Sequence, residues 1–281
     1  MNLIAIDIGN TNIKVAFFLD DEEKLIKSLS GYEAEIFLQL QETLAECWDQ
    51  IPLVKGSEQM VRDGVIVVSS VKPEWTEMVR EAVKDELAQK IMVIGEDIPL
   101  PIETATDDPF QVGTDRLVTA AAAYSVIEDA VVVADFGTAV TVDLVDENGV
   151  FLGGTISPGF DLSMKAMKAG TARLPQVAMQ KPLDVYGANT EEAMRAGVYW
   201  SAVGLLETVC RKYAEQLGKW PHVILTGGAA GLIRDDCTFV DSYVPDLAVR
   251  GIMIAYKKYL YEKAHIAELD AEKPIKPPAE E

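Results

Sequence analysis

Histidine and cysteine are scarce in this chain of 281 residues, which has two of the first, His222 and His265, and three of the second, Cys47, Cys210 and Cys237. The cysteines lie far apart, are odd in number and form no C-x-x-C pair. They argue against a disulfide framework or a zinc site and for a reducing, cytoplasmic setting. Chemistry built on several histidines is nearly excluded. No stretch approaches the ~18 consecutive apolar residues of a membrane span, and Asp7 interrupts the apolar start with no basic residues ahead of it. Basic residues are short too: 25 Lys and Arg face 45 Asp and Glu, a formal net charge of −20. Surfaces that bind nucleic acid or anionic membrane need clustered Lys and Arg, so neither partner is expected. A small phosphorylated ligand, held by a few local groups, remains compatible.

Two familiar nucleotide motifs are also missing. There is no G-x-x-x-x-G-K-[ST] loop and no G-x-G-x-x-G after a strand. What is present is an alternation of β-branched runs and helical patterns. Residues 2–8 and 13–19 read as a strand pair joined by Gly9-Asn10-Thr11-Asn12, and an acidic stretch over 20–50 ends in a helix at 33–48. A strand is predicted at 64–70, a helix at 74–87 and a strand at 90–94. An alanine-rich helix at 116–126 leads to strands at 130–134, 139–145 and 150–156, the last two joined by Asp146-Glu147-Asn148-Gly149. Pro158-Gly159 opens a helix to about 169, 189–217 is a long apolar helix, 223–226 a strand before Gly227-Gly228, and 256–267 a final helix. Prolines and charges after 268 predict a disordered tail.

One pattern occurs twice: an apolar strand, then Asp-x-Gly with a small polar residue, then another strand, at Asp7 and again at Asp135. Either copy alone is ordinary turn chemistry. Together they point to duplicated lobes with a ligand between them. Glycine turns bring backbone N–H groups close to anionic oxygens, and Asn and Thr add donors. Gly9 to Asn12 with Lys14 form one such set, and Gly137, Thr138 and Thr141 form another. Asp7 and Asp135 would repel bare phosphate, so each is expected to act through a hydrated cation.

The ordered series DIGNTNIK (7–14), SSVKP (69–73), GTDR (113–116), DFGTAVTVD (135–143), SPG (157–159), TARLP (171–175), GANTEEAMRAG (187–197) and TGG (226–228) resembles the type III pantothenate kinases. These belong to the superfamily of acetate and sugar kinases, heat-shock chaperones and actin. The resemblance implies an α/β fold of two similar ribonuclease-H-like lobes with a nucleotide cleft between them. The expected boundaries are 1–115 and 116–267, followed by the tail at 268–281. It implies transfer of the γ-phosphoryl group of ATP to the primary hydroxyl of pantothenate, the first step of coenzyme A biosynthesis, with Mg²⁺ and a monovalent cation (K⁺ or NH₄⁺). Asp7, Ile8, Gly9, Asn10, Thr11, Asn12, Ile13 and Lys14 would contact ATP, as would Thr138, Gly227 and Gly228. Asp135 would ligate the monovalent cation. Gly113, Thr114, Asp115 and Arg116 would bind pantothenate, with Asp115 the proton acceptor. Thr190 would add a contact in a pocket that relatives commonly build at a homodimer interface.

Read without the resemblance, Asp115 is an N-cap for a helix starting at Arg116, Arg116 a surface ion-pair partner, and Thr190 another N-cap. Lys165 and Lys168 read as a solvated helix face. One departure concerns the acceptor. Several relatives carry Tyr-x-Asn-Pro ahead of G-x-D-R, whereas this chain has Thr106-Asp107-Asp108-Pro109, so Thr106 offers a shorter wall. A kinase acting on another small hydroxylated molecule, or a non-catalytic nucleotide-binding regulator of the same fold, are the alternatives.

Overall fold

The computed structural model describes residues 1–56 and 60–271. The first sheet is assembled from β1 (Leu3–Ile8), β2 (Ile13–Leu19), β3 (Glu22–Leu29), β6 (Val65–Ser70) and β7 (Ile91–Val93) in the order β3-β2-β1-β6-β7. Between β3 and β6 run α1 (Glu33–Gln50) and a small ribbon, β4 (Leu53–Lys55) with β5 (Met60–Arg62). Helix α2 (Pro73–Leu87) links β6 to β7. The second sheet gathers β8 (Glu103–Thr104), β9 (Val131–Phe136), β10 (Ala139–Val145), β11 (Val150–Pro158), β12 (His222–Thr226) and β13 (Ser242–Tyr243) in the order β13-β12-β9-β10-β11-β8. Helices α3 (Thr114–Ile127), α4 (Phe160–Gly170), α5 (Thr190–Leu217) and α6 (Leu247–Ala271) complete the chain. Among the described residues no helix is long and apolar enough to cross a membrane.

The two sheets repeat one plan. In each, three antiparallel strands form a meander, and two parallel strands extend it beyond the first strand. β1 and β9 hold the same central place, which makes the Asp7 and Asp135 echo a structural duplication. Period-two alternation then decides which way each aspartate faces. On β1, Ile4, Ile6 and Ile8 pack outward against α1 and α2, while Leu3 and Ala5 face α3 and α6. Asp7 shares the face of Leu3 and Ala5. On β9, Val132, Ala134 and Phe136 face α5, while Val131 and Val133 face α3. Asp135 shares their face. Both carboxylates therefore point into the layer between the sheets.

That layer is α3 and α6. The chain crosses from the first sheet to the second through α3 and returns through α6, whose Val249, Ile252 and Ala255 cover the inner face of β1, β2 and β6. The sequence pattern placed the last helix at 256–267, but it begins at Leu247. Its first turns are apolar on nearly every side because they pack on both a sheet and a helix, so they carry little helical period. The strand β3 was also missed. Its exposed, charged start (Glu22, Glu23, Lys24) is that of a sheet edge protected from pairing. Helix α6 also runs through Ala271, past the point at 268 where a disordered tail was expected, and the rest of that tail lies outside the described residues.

Ile252 is fully buried where α6 meets the first sheet. Ile252→Ala should lower stability by about 2–5 kcal/mol, the usual cost of an unfilled core site. Urea titration would measure it, and a loss below ~1 kcal/mol would contradict this packing.

Candidate active site

Two turns and one helix terminus converge at the inner ends of β1 and β9. The first turn is closed by the Gly9 amide donating to the Asn12 carbonyl at 3.0 Å, and the second by the Gly137 amide donating to that of Ala139 at 3.0 Å. They touch across the lobes, with the hydroxyls of Thr11 and Thr138 at 2.9 Å. The cleft behind this contact holds about 150 Å³ and is lined by Asp7, Gly9, Asn10, Asn12, Lys14, Asp115, Arg116, Asp135, Gly137, Thr138, Gly227 and Gly228, among others. A larger chamber of about 840 Å³ adjoins it, sharing Asn12, Gly137, Thr138 and Gly228 and adding Thr11, Asp161 and Lys165. Gly227 has a positive φ of 95°, and a Cβ there would lie 2.3 Å from the Asp135 carboxylate. Only glycine allows that approach.

The cleft is a concentration of buried negative charge. Burial pushes the Asp7 carboxyl up to about 7, with Asp115 adding to the rise, Lys14 opposing it and Asp135 adding further. Burial also raises Asp135 to about 6, again with Asp115 repelling and Lys14 countering. Asp115 is raised by burial too, against the backbone hydrogen bond and charge of Arg116. Asp7 Oδ1 is buried with no hydrogen-bond partner. Among the described residues no group of three or more His, Cys, Asp or Glu is placed to hold a metal ion.

Both cations in the cleft are already engaged. Lys14 lies opposite Asp7 in the β1–β2 register, and its Nζ is 3.0 Å from Asp246 and 3.4 Å from the Pro245 carbonyl, just ahead of α6. Arg116 reaches from α3 to Asp143 on β10, its Nε 3.1 Å from each carboxylate oxygen and its Nη2 also bonded to Oδ1. Asp143 and Asp246 received no role from the sequence. A signal existed for Asp143, an acid within the otherwise uncharged strand 139–145.

Other candidates fall outside the cleft. Helix α3 begins at Thr114 with Gly113 as N-cap, so Asp115 lies inside the first turn and is not the cap itself. The Thr114 hydroxyl donates to the Ser70 carbonyl at 2.8 Å and accepts from the Ser70 amide at 3.1 Å, tying α3 to the end of β6. Thr114 lines a separate side cavity with Ser70 and Phe110. Ile8 and Ile13 are fully buried against α1 and α2, and their side chains do not reach the cleft. Thr106 pairs its hydroxyl with that of Thr104 at 3.1 Å. Thr190 is exposed at the start of α5, where Asn189 is the cap, its side chain accepting from the Glu192 amide. Lys165, read as part of a solvated face, lines the larger chamber.

The raised carboxyls fix a sign. Without cations, folded Asp7 and Asp135 hold protons up to about pH 7 and 6, whereas unfolded aspartates release them near 4. The stability they contribute is full below pH 4 and is lost as pH rises through those values. In buffer free of Mg²⁺ and K⁺, Asp7→Asn should gain on wild type between pH 5 and pH 8, on the order of 2–4 kcal/mol at the upper end. Denaturation midpoints at both pH values would show it, and a constant gap would mean that Asp7 is not desolvated.

Known proteins resemble the chain over most of its length. A model of the type III pantothenate kinase family matches residues 3–212. A type III pantothenate kinase of Dehalococcoides mccartyi is 33% identical over 260 residues, covering 91% of this chain and 97% of its own. That of Rhodospirillum rubrum is 35% identical over 257 residues, covering 91% and 98%. Among solved structures, a Campylobacter jejuni protein assigned to a Baf family of transcriptional activators superposes with a TM-score of 0.56 at 22% identity, over 93% of this chain and 99% of that one. This last likeness bears on the fold alone. From the family match and the full-length similarity to its curated members, the chain belongs to the type III pantothenate kinases.

Proposed function

We propose that this protein transfers the γ-phosphoryl group of ATP to the primary hydroxyl of pantothenate, giving 4′-phosphopantothenate for coenzyme A biosynthesis, with Asp115 as general base. The observation that carries this reading is the convergence of Asp7, Asp115, Asp135, Lys14 and Arg116 on one cleft between two glycine turns. Phosphoryl transfer depends mainly on alignment and charge neutralisation, so one carboxylate beside the hydroxyl suffices as base. Desolvation suits Asp115 to the task, because a raised carboxyl takes up the hydroxyl proton more readily. The triphosphate would lie on the amides of 9–12 and 137–138, with the nucleoside in the larger chamber beside Gly228. Lys14 and Arg116 supply the protein's positive charge there.

Cations fit the same cleft. Asp7 Oδ1 is buried without a partner, and the Asp7 and Asp135 carboxyls line the cleft together with the glycine turns. No cage of three acidic or imidazole ligands surrounds them among the described residues, so an ion would take its other ligands from water and phosphate. Asp7 would hold hydrated Mg²⁺ and Asp135 the K⁺ or NH₄⁺. Held there, Mg²⁺ would supply charge neutralisation for the phosphates.

A homodimer accounts for Thr190, which stands outside its own chain's cleft and would serve the pocket of a second copy. An apolar groove of about 510 Å³ between α4 and α5, lined by Phe160, Met167, Met194, Val198 and Leu205, supports such a contact. The three buried, unpaired cysteines are consistent with a cytoplasmic setting. Thr106 favours one other reading, a different small hydroxylated acceptor, because its hydroxyl is spent on Thr104 and leaves the expected wall short.

ADP release should require pantothenate, and a panel of acceptors that favours a sugar over pantothenate would end the leading reading. Asp115→Asn should cut kcat by about 10²–10⁴-fold while ATP affinity stays within about twofold. Near-normal turnover in that variant would remove Asp115 as the base. Replacing K⁺ by Na⁺ should abolish most activity, and equal rates in the two salts would remove the cation role of Asp135.

A further inference from the structure

The geometry points to Asp143 as a positioning residue, whose function is to lock the Arg116 guanidinium in the orientation in which it meets substrate. The inference rests on the reading above, in which Arg116 holds an anionic oxygen of the acceptor or of the transferring phosphoryl group.

Arg116 lines the cleft and Asp143 does not. The Asp143 side chain is 1% exposed and lies outside the cleft lining, so any effect on the reaction passes through Arg116. The contact is a fork. Nε is bonded to both oxygens at 3.1 Å and Nη2 to Oδ1, which fixes both the plane and the rotation of the guanidinium. Nη1 has no protein partner among the described residues, and it remains for an anion in the cleft. The Phe151 ring flanks the guanidinium carbon at 5.6 Å and closes one face.

The surrounding strands are shaped to this pair. Asp143 is opposite Gly154 in the β10–β11 register, and a Cβ at 154 would fall 2.2 Å from Asp143 Oδ1. Stability alone gives no reason for the arrangement. Burying a carboxylate and a guanidinium carries a large desolvation cost, and apolar residues of similar volume commonly serve a core as well or better. What apolar residues cannot do is hold a cationic fork at a set angle beside Asp115, whose neighbour on α3 it is. Asp143 also halves the problem of charge. It balances Arg116, so the arginine presents donors to an anion without drawing the Asp115 carboxylate onto itself.

A double-mutant cycle on the full-length enzyme tests this, with pantothenate-dependent ADP release and thermal midpoint read on every variant. Asp143→Asn keeps the volume and one acceptor but loses the charge and the firm fork. It should lower kcat/KM for pantothenate by about 10–100-fold, with KM for ATP within about twofold. Arg116→Lys keeps the charge without the fork and should show a similar loss, which keeps the test alive if Asp143→Asn fails to fold. On an Arg116→Gln background, Asp143→Asn should add less than about threefold, since the residue through which it acts is gone. A raised KM for pantothenate at unchanged kcat would assign Nη1 to the acceptor; a lowered kcat at saturation would assign it to the phosphoryl group, and either supports the inference. Multiplicative losses in the double variant, a fully active Arg116→Lys, or a lower thermal midpoint with unchanged kcat/KM would overturn it. Wild type serves as the control that separates the two levels: if it releases no pantothenate-dependent ADP, the functional reading falls and takes this inference with it, whereas an active wild type with multiplicative variants sinks the inference alone.

Discussion

Three aspartates are buried together between two sheets, and most of the cleft is arranged around that fact. Desolvation raises the carboxyl pKa of all three, and Asp115 adds to the rise of both Asp7 and Asp135. Only Lys14 and Arg116 oppose them from the cleft lining, and each is already matched by an acid of its own, Asp246 and Asp143. The protein therefore brings too little positive charge to accept a polyanion by itself. On the proposed reading, a triphosphate would settle here together with cations that also satisfy the aspartates. The acidity of the whole chain and the chemistry of its cleft are in this sense one property.

Duplication explains how such a cleft can be built from ordinary parts. A strand of period two that is apolar on both faces can hide a single acid near its end without weakening its core contacts. Two such strands, placed centrally in two sheets of the same plan, deliver their acids to the same layer. Helix α3 fills that layer with small side chains, Ala120 to Ala123, which lets the sheets approach, and its N-terminus carries Asp115 and Arg116 to the junction. Helix α6 closes the other side and, through the residues just before it, holds Lys14 in place. Stability and site geometry thus depend on the same two helices.

The strands β1, β2, β6, β9, β10 and β12 were legible because their β-branched runs are long, buried and bounded by glycine turns. The edge strand β3 was not, since its exposed charges look like loop chemistry. The short strands β4, β5, β8 and β13 carry too few residues for any pattern to emerge, and the start of α6 was hidden by burial on two sides. Within the site, Asp7, Gly9, Asn12, Lys14, Asp115, Arg116, Asp135, Thr138, Gly227 and Gly228 were all marked as candidates and all line the cleft. Thr114 was marked for the same reason as its neighbours, yet its hydroxyl is used to fasten α3 to β6. Asp143 was passed over, because a lone acid in a strand gives no hint of which distant residue it will meet.

The sequence by itself determined the family, the two glycine turns and the shortage of basic groups, all of which reside in local chemistry: turn glycines, strand alternation and charge counts. Only the tertiary structure decided which charges are free and which are spent. Arg116 meets Asp143 across 27 positions and Lys14 meets Asp246 across more than 200, pairings set by how helices cross sheets. Burial likewise turns identical aspartates into groups with different proton affinities, because desolvation depends on what the whole fold places around each carboxylate.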